Sequence, residues 1–238
     1  MDIDATPEGK LFDRLERDQF DSSRAGAPWA VAGAVLTSQG ALLRDLRSGR
    51  RLGAYLASLT AATLLFSAGY GAILGLFQPS FQTLFAAAKI PIVVLGTALL
   101  CTPTFYVFNS ILGSRLSLPQ TLGIVLFLAA SASLVLVAFA PIAWLFTVST
   151  GGPDFLAGLH VAIFLVAALY GFRSLDVGRR YLNFVDATQV AVNAKVLFLW
   201  FLLVLVVALQ IAYYFRPLLL PGPFHLGERG LFLDVVMR

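Results

Sequence analysis

RDLRSGRRLGAYLASLTAATLLFSAGYGAILGLF, residues 44–77, holds the two signals on which the fold turns. Arg44, Arg47, Arg50 and Arg51 crowd together, and residues 53–77 then run without a single charge. A helix needs about 20 apolar residues to cross the roughly 30 Å hydrocarbon layer of a bilayer. A basic cluster beside such a run resists translocation and stays in the cytoplasm. The stretch therefore reads as a membrane span with its Arg-bearing end inside. Gln78, Pro79 and Ser80 follow as an outer turn.

The same pattern repeats along the chain. A second apolar block, 84–112, contains Lys89, Pro91 and Pro103 and ends in Phe105, Tyr106, Phe108 and Asn109, after which Gly113, Ser114 and Arg115 return to the inner side. A third span, 118–148, carries Pro141, which removes a backbone donor and is expected to bend its outer third. Gly151, Gly152, Pro153 and Asp154 form the next outer loop, and a fourth span covers 155–172. Arg173, Arg179, Arg180 and Lys195 mark an inner loop of about twenty residues before a fifth span, 196–215. Thirteen of the 17 basic residues fall on the inner side of this arrangement, which puts the N-terminus in the cytoplasm and the C-terminus outside.

Composition agrees. The 238 residues are 58% hydrophobic and 13% charged, with a mean hydropathy of +0.83. Soluble domains carry about 45–50% apolar and about 25% charged residues, so a water-soluble core is excluded. The expected fold is all-α, a polytopic bundle of about five transmembrane helices. Residues 1–51 form a cytoplasmic region of short amphipathic or interfacial helices, 52–216 the transmembrane domain, and 217–238 an extracytoplasmic tail broken by Pro217, Pro221, Gly222 and Pro223. Within the first region Leu11, Phe12, Leu15 and Phe20 share a helical face beside Lys10, Arg14 and Arg17. Trp29 to Leu46 reads as interfacial. The acidic and basic start has no secretory-signal pattern, so the first span directs insertion.

Little in the sequence carries chemistry. Cys101 is the single cysteine, which excludes an intrachain disulfide and a cysteine-rich metal site. His160 and His225 are the only histidines and lack metal-binding spacing. No nucleophile elbow, phosphate loop or dinucleotide turn is present. The expectation is a non-enzymatic protein with no catalytic residue, cofactor or metal. The net charge of +4 follows topology and does not imply nucleic acid.

The candidate intramembrane polar and assembly residues are Lys89, Asn109, His160, Asp154, Gly71 and Gly75. Lys89 is the one charge well inside an apolar block, and such groups are functional candidates by default. Two readings stand for it: a snorkelling anchor or structural ion pair, and a site near the outer mouth of a path. Asp154 is its candidate partner, at the same outer end as His160. Gly71 and Gly75 make a GxxxG pair suited to close helix approach. Asn109 needs a partner at the inner interface, next to the kink expected at Pro103. Gln210 reads as an interhelical hydrogen bond.

The segment Ala88-Lys89-Ile90-Pro91 leading to Tyr106-Val107-Phe108-Asn109-Ser110-Ile111-Leu112-Gly113, set in five closely spaced spans, resembles bacterial members of the Yip family. The resemblance covers most of residues 40 to 215. It implies a membrane organising or adaptor role in a bacterial inner membrane, with the bilayer and a second copy or a membrane-protein partner as its company. A channel or permease component is the alternative.

Overall fold

The computed structural model describes residues 19–76, 81–111, 116–149, 152–185 and 194–214. The readings for residues 1–18, the turn 78–80, Gly113, Ser114, Arg115, Gly151 and the tail with His225 lie outside the described residues. All regular structure among those described is helical. A short 3-10 turn, Ser22–Gly26, leads into α1 (Pro28–Thr37), α2 (Gln39–Ser48), α3 (Leu52–Gly75), α4 (Phe81–Ile111), α5 (Leu118–Ala138), α6 (Ala140–Ser149), α7 (Pro153–Val185) and α8 (Ala194–Tyr214). Five of these, α3, α4, α5, α7 and α8, are long and apolar enough to cross a membrane, as the hydropathy reading required. The chain is an all-α membrane protein.

α5 is the most enclosed of the five and α8 the most exposed. α3 lies against α4 and α5, α5 also against α7, and α8 docks mainly on α4. α5 begins at a capping box: Ser117 N–H donates to Gln120 Oε1 at 2.8 Å while Ser117 Oγ accepts from the Gln120 N–H at 3.4 Å. Gln120 Nε2 reaches across to the carbonyl of Arg47 and joins the end of α2 to the start of α5. Between α2 and α3 the chain turns through Gly49, at φ 74°, and Arg51, at φ 50°. The left-handed conformation costs glycine little, and Arg51 is held there with its guanidinium donating to the Ser22 carbonyl at 3.2 Å.

Three differences from the sequence reading have physical causes. The third span does not run to 148 as one bent rod; it ends at Ala138, and α6 starts afresh at Ala140. Pro141, near the start of α6, has no N–H for the preceding turn, so the ladder breaks there. α4, by contrast, stays one helix through Pro91 and Pro103, as the reading of 84–112 as a single block had it. The fourth helix continues past residue 172 to Val185, through the expected loop. Asp176 pairs with Arg179 at 2.7 Å and with Arg180 at 2.9 Å, the i+3 and i+4 partners that support a helix leaving the apolar phase.

The third difference concerns residues before 52. The boundary between a cytoplasmic region and a transmembrane domain at 51/52 cuts through one core. Val31 and Val35 of α1 and Leu42 and Leu46 of α2 are buried in a cluster with Tyr55, Leu59 and Phe127 of the bundle. α2 is amphipathic, as expected, but α1 is apolar on all sides. Tyr55 Oη donates to Asp45 Oδ2 at 2.5 Å, and Ser58 Oγ donates to the Ala25 carbonyl at 2.7 Å. Asp21 caps the 3-10 turn; the Ser23 hydroxyl and N–H, both donating to it, hold its carboxyl below the usual carboxylate range. Tyr55→Phe removes the hydroxyl donor from Asp45 and is expected to cost about 1–3 kcal/mol. Equilibrium unfolding in detergent micelles measures it, and an unchanged midpoint would count against the contact.

Candidate functional site

The buried polar groups of α3, α4, α5 and α6 mostly turn back on their own helices. Thr63, Ser67, Thr97, Thr102, Ser131 and Thr147 each donate to the carbonyl four residues earlier, at 2.5–2.8 Å. A short hydroxyl inside a helix has this outlet without needing a neighbour. Asn109 does the same at one end of α4, its Nδ2 donating to the Phe105 carbonyl at 2.9 Å while the buried Oδ1 has no partner. The interfacial partner expected for Asn109 is thus its own backbone, and only half its amide is satisfied.

Among the polar contacts that cross between long helices are one indole and one phenol–imidazole bond. Trp200 of α8 donates its Nε1–H to the carbonyl of Cys101 at 3.2 Å, one turn before Phe105, whose ring lies 4.4 Å from the indole. This seats α8 on α4 beside Pro103. The other is Tyr70 of α3 with His160 of α7, Oη to Nδ1 at 2.7 Å. Tyr70 is fully buried and its ring meets the His160 imidazole edge-on at 5.7 Å and the Phe164 ring at 5.6 Å. His160 Nε2 is buried and has no partner. If the tyrosine hydroxyl donates, Nε2 carries the ring proton and lacks an acceptor; in the other tautomer it lacks a donor.

Lys89 is 0% exposed. Snorkelling along a lipid-facing surface is therefore not how it is accommodated; it sits in the interior and is engaged there. Asp154 is exposed at the start of α7, which is not the placement of a shielded ion pair with Lys89. Gln210 is also engaged within the structure.

The glycine pair receives a definite neighbour. A Cβ at Gly71 would lie 2.5 Å from the Ala86 carbonyl oxygen and 3.0 Å from Ala87 Cα, so α3 and α4 touch backbone to backbone. The Gly75 carbonyl accepts from Thr83 Oγ1 at 3.2 Å, extending the same seam. Gly69 faces open space. Beside this seam a recess of about 530 Å³, lined by Ala72, Phe81, Thr83, Leu84 and Ala87, opens on the flank of the bundle.

Sequence reasoning singled out His160 but missed Tyr70, Trp200, Tyr55 and Asp45. A signal existed for the first: a tyrosine inside an apolar block must place its hydroxyl on something, and His160 is the one histidine in a span. Among the described residues no three His, Cys, Asp or Glu side chains gather to hold a metal ion. No family model, curated protein or solved structure matches the chain.

Interhelical hydrogen bonds in membrane bundles average about 0.6 kcal/mol, with a maximum near 1.7. A double-mutant cycle of Tyr70→Phe with His160→Leu is expected to give a coupling in that range; additive single costs would remove the bond from the account. Gly71→Ala is expected to destabilise by about 1–3 kcal/mol through overpacking against the α4 backbone. Gly69→Ala, read in the same unfolding titration, is expected to cost far less.

Proposed function

We propose that this chain is a non-enzymatic scaffold, adaptor or assembly subunit of a membrane, working with a second copy of itself or with another membrane protein. The observation that carries the reading is where its buried polar groups spend their hydrogen bonds. Six buried hydroxyls close on their own helix, and the cross-helix bonds, among them Tyr70 to His160, Trp200 to Cys101 and Tyr55 to Asp45, fix helices to one another. A bundle that uses polar groups to fix its own packing offers surfaces to partners more readily than it offers chemistry to a substrate. The likeness of the second span to bacterial Yip-family proteins supports the same reading. So does the collection of Arg24, Arg44, Arg47, Arg50, Arg51, Arg173, Arg179 and Arg180 on one side of the spans, which under the positive-inside rule supports a cytoplasmic face there; a bacterial inner membrane belongs to the same proposal.

One observation favours a second reading, a channel or permease component. Lys89 is a fully buried lysine in an apolar helix, and His160 presents an unpartnered nitrogen in the interior. Buried ionisable groups of this kind line solute and proton paths in other membrane proteins.

Purification of the tagged chain from its native membrane in mild detergent, with sizing and mass spectrometry, separates the two. The scaffold reading expects a stoichiometric partner or a defined oligomer, and ion flux in proteoliposomes that stays at background. Flux above background that Lys89→Ala alters in size or anion preference would replace it with the channel reading. Fusions of an enzyme active only outside the cytoplasm are expected to report from residue 216 onward and to stay silent at residue 50. The reverse pattern would invert the orientation.

A further inference from the structure

We propose that α1 and α2 form a re-entrant hairpin sunk into the leaflet at the basic end of the bundle, with acyl chains covering the face of α1 that carries Trp29 and Leu36. The depth follows from three successive contacts along α3. The Phe20 ring meets Tyr55 at 6.2 Å, the Ala25 carbonyl accepts from Ser58, and the Trp29 indole meets the Phe66 ring at 6.0 Å. These partners are progressively farther from Leu52, and at 1.5 Å per residue Phe66 lies about 21 Å along a helix about 36 Å long. Residues 20–29 therefore run inward beside α3 and bring the start of α1 to the middle of the apolar layer. The chain then returns: Asp45 of α2 meets Tyr55 again, and the Arg47 carbonyl meets Gln120 at the start of α5.

The chemistry of the hairpin suits that depth. No charged residue occurs from Ala25 to Leu43. α1 buries Val31, Ala34 and Val35 against the bundle and leaves Trp29 at 68% and Leu36 at 54% exposed on the opposite side. Leu64 and Leu65 of α3 are exposed near Phe66, and as part of a membrane span they face acyl chains. The Trp29 face continues that surface, which names its occupant. Polar groups at the turn from α1 to α2 close locally, as hydrocarbon demands: Thr37 Oγ1 donates to the Gly33 carbonyl at 3.0 Å and Gln39 Nε2 to the Val35 carbonyl at 2.9 Å. Pro28 opens α1 with no N–H to leave unpaired at depth. Irregular backbone at membrane depth is tolerated where it packs against protein, and Ala25 is fully buried.

The test uses the full chain in lipid nanodiscs, which expose both faces. Trp29 emission, taken as the difference between the natural protein and Trp29→Phe so that Trp144 and Trp200 stay in place, is measured with lipids brominated at different depths and with aqueous iodide. The expected result is several-fold stronger quenching by mid-chain bromine than by iodide. Strong iodide quenching with no response to brominated chains would overturn the proposal. Independently, Leu36→Cys is expected to resist a membrane-impermeant maleimide that labels Arg50→Cys readily. Equal labelling of the two would place the hairpin outside the hydrocarbon.

Discussion

Acyl chains neither donate nor accept hydrogen bonds, so each polar group of the five long helices must find its partner within the protein. That constraint decides much of what the side chains do. Most buried threonines and serines of the long helices close on the carbonyl four residues back, which lies within their reach. Tyrosine and tryptophan have polar atoms too far from their own backbone for that solution. They are therefore the residues that reach other helices: Tyr55 to Asp45, Tyr70 to His160 and Trp200 to the Cys101 carbonyl.

The same solvent removes the hydrophobic drive between helices, since lipid is as apolar as leucine, and leaves packing to do the work. Glycines at contact points let that packing become close. Gly71 admits the α4 backbone, Gly123 of α5 the Leu46 side chain, Gly171 of α7 the Leu128 carbonyl of α5, and Gly178 of α7 the Leu43 side chain. Gly26, Gly33, Gly53 and Gly69 face open space, so helix seams rather than glycine content explain the tight ones.

The two ends of the bundle are built differently. At the basic end a hairpin of two short helices fills the space among α3, α5 and α7, tied by Asp45, Ala25 and the Arg47 carbonyl. At the other end α6, separated from α5 by the break before Pro141, lies against α3 and α7, near the level where Tyr70 meets His160. Lys89 belongs to α4 one turn from the Gly71 seam, in the interior.

Hydropathy alone determined the number of long helices and nearly all their limits in the apolar layer, because twenty apolar residues in a row have one low-energy state in a bilayer. It did not determine where helix ended once charges began, since a hydropathy drop marks a change of solvent and not of conformation; Asp176 with Arg179 and Arg180 supports α7 as it leaves that layer. Gly71 was legible as a close-approach position, but which helix approached was not, because small residues remove a barrier without naming the neighbour. Lys89, Asn109 and His160 were legible as polar groups in apolar surroundings. That Lys89 is interior, that Asn109 turns on its own backbone and that His160 meets Tyr70 were decided only by the rotation of each helix about its axis. In a sequence apolar on nearly all sides, periodicity carries no record of that rotation, and for the same reason the insertion of α1 into the core could be settled by tertiary packing alone.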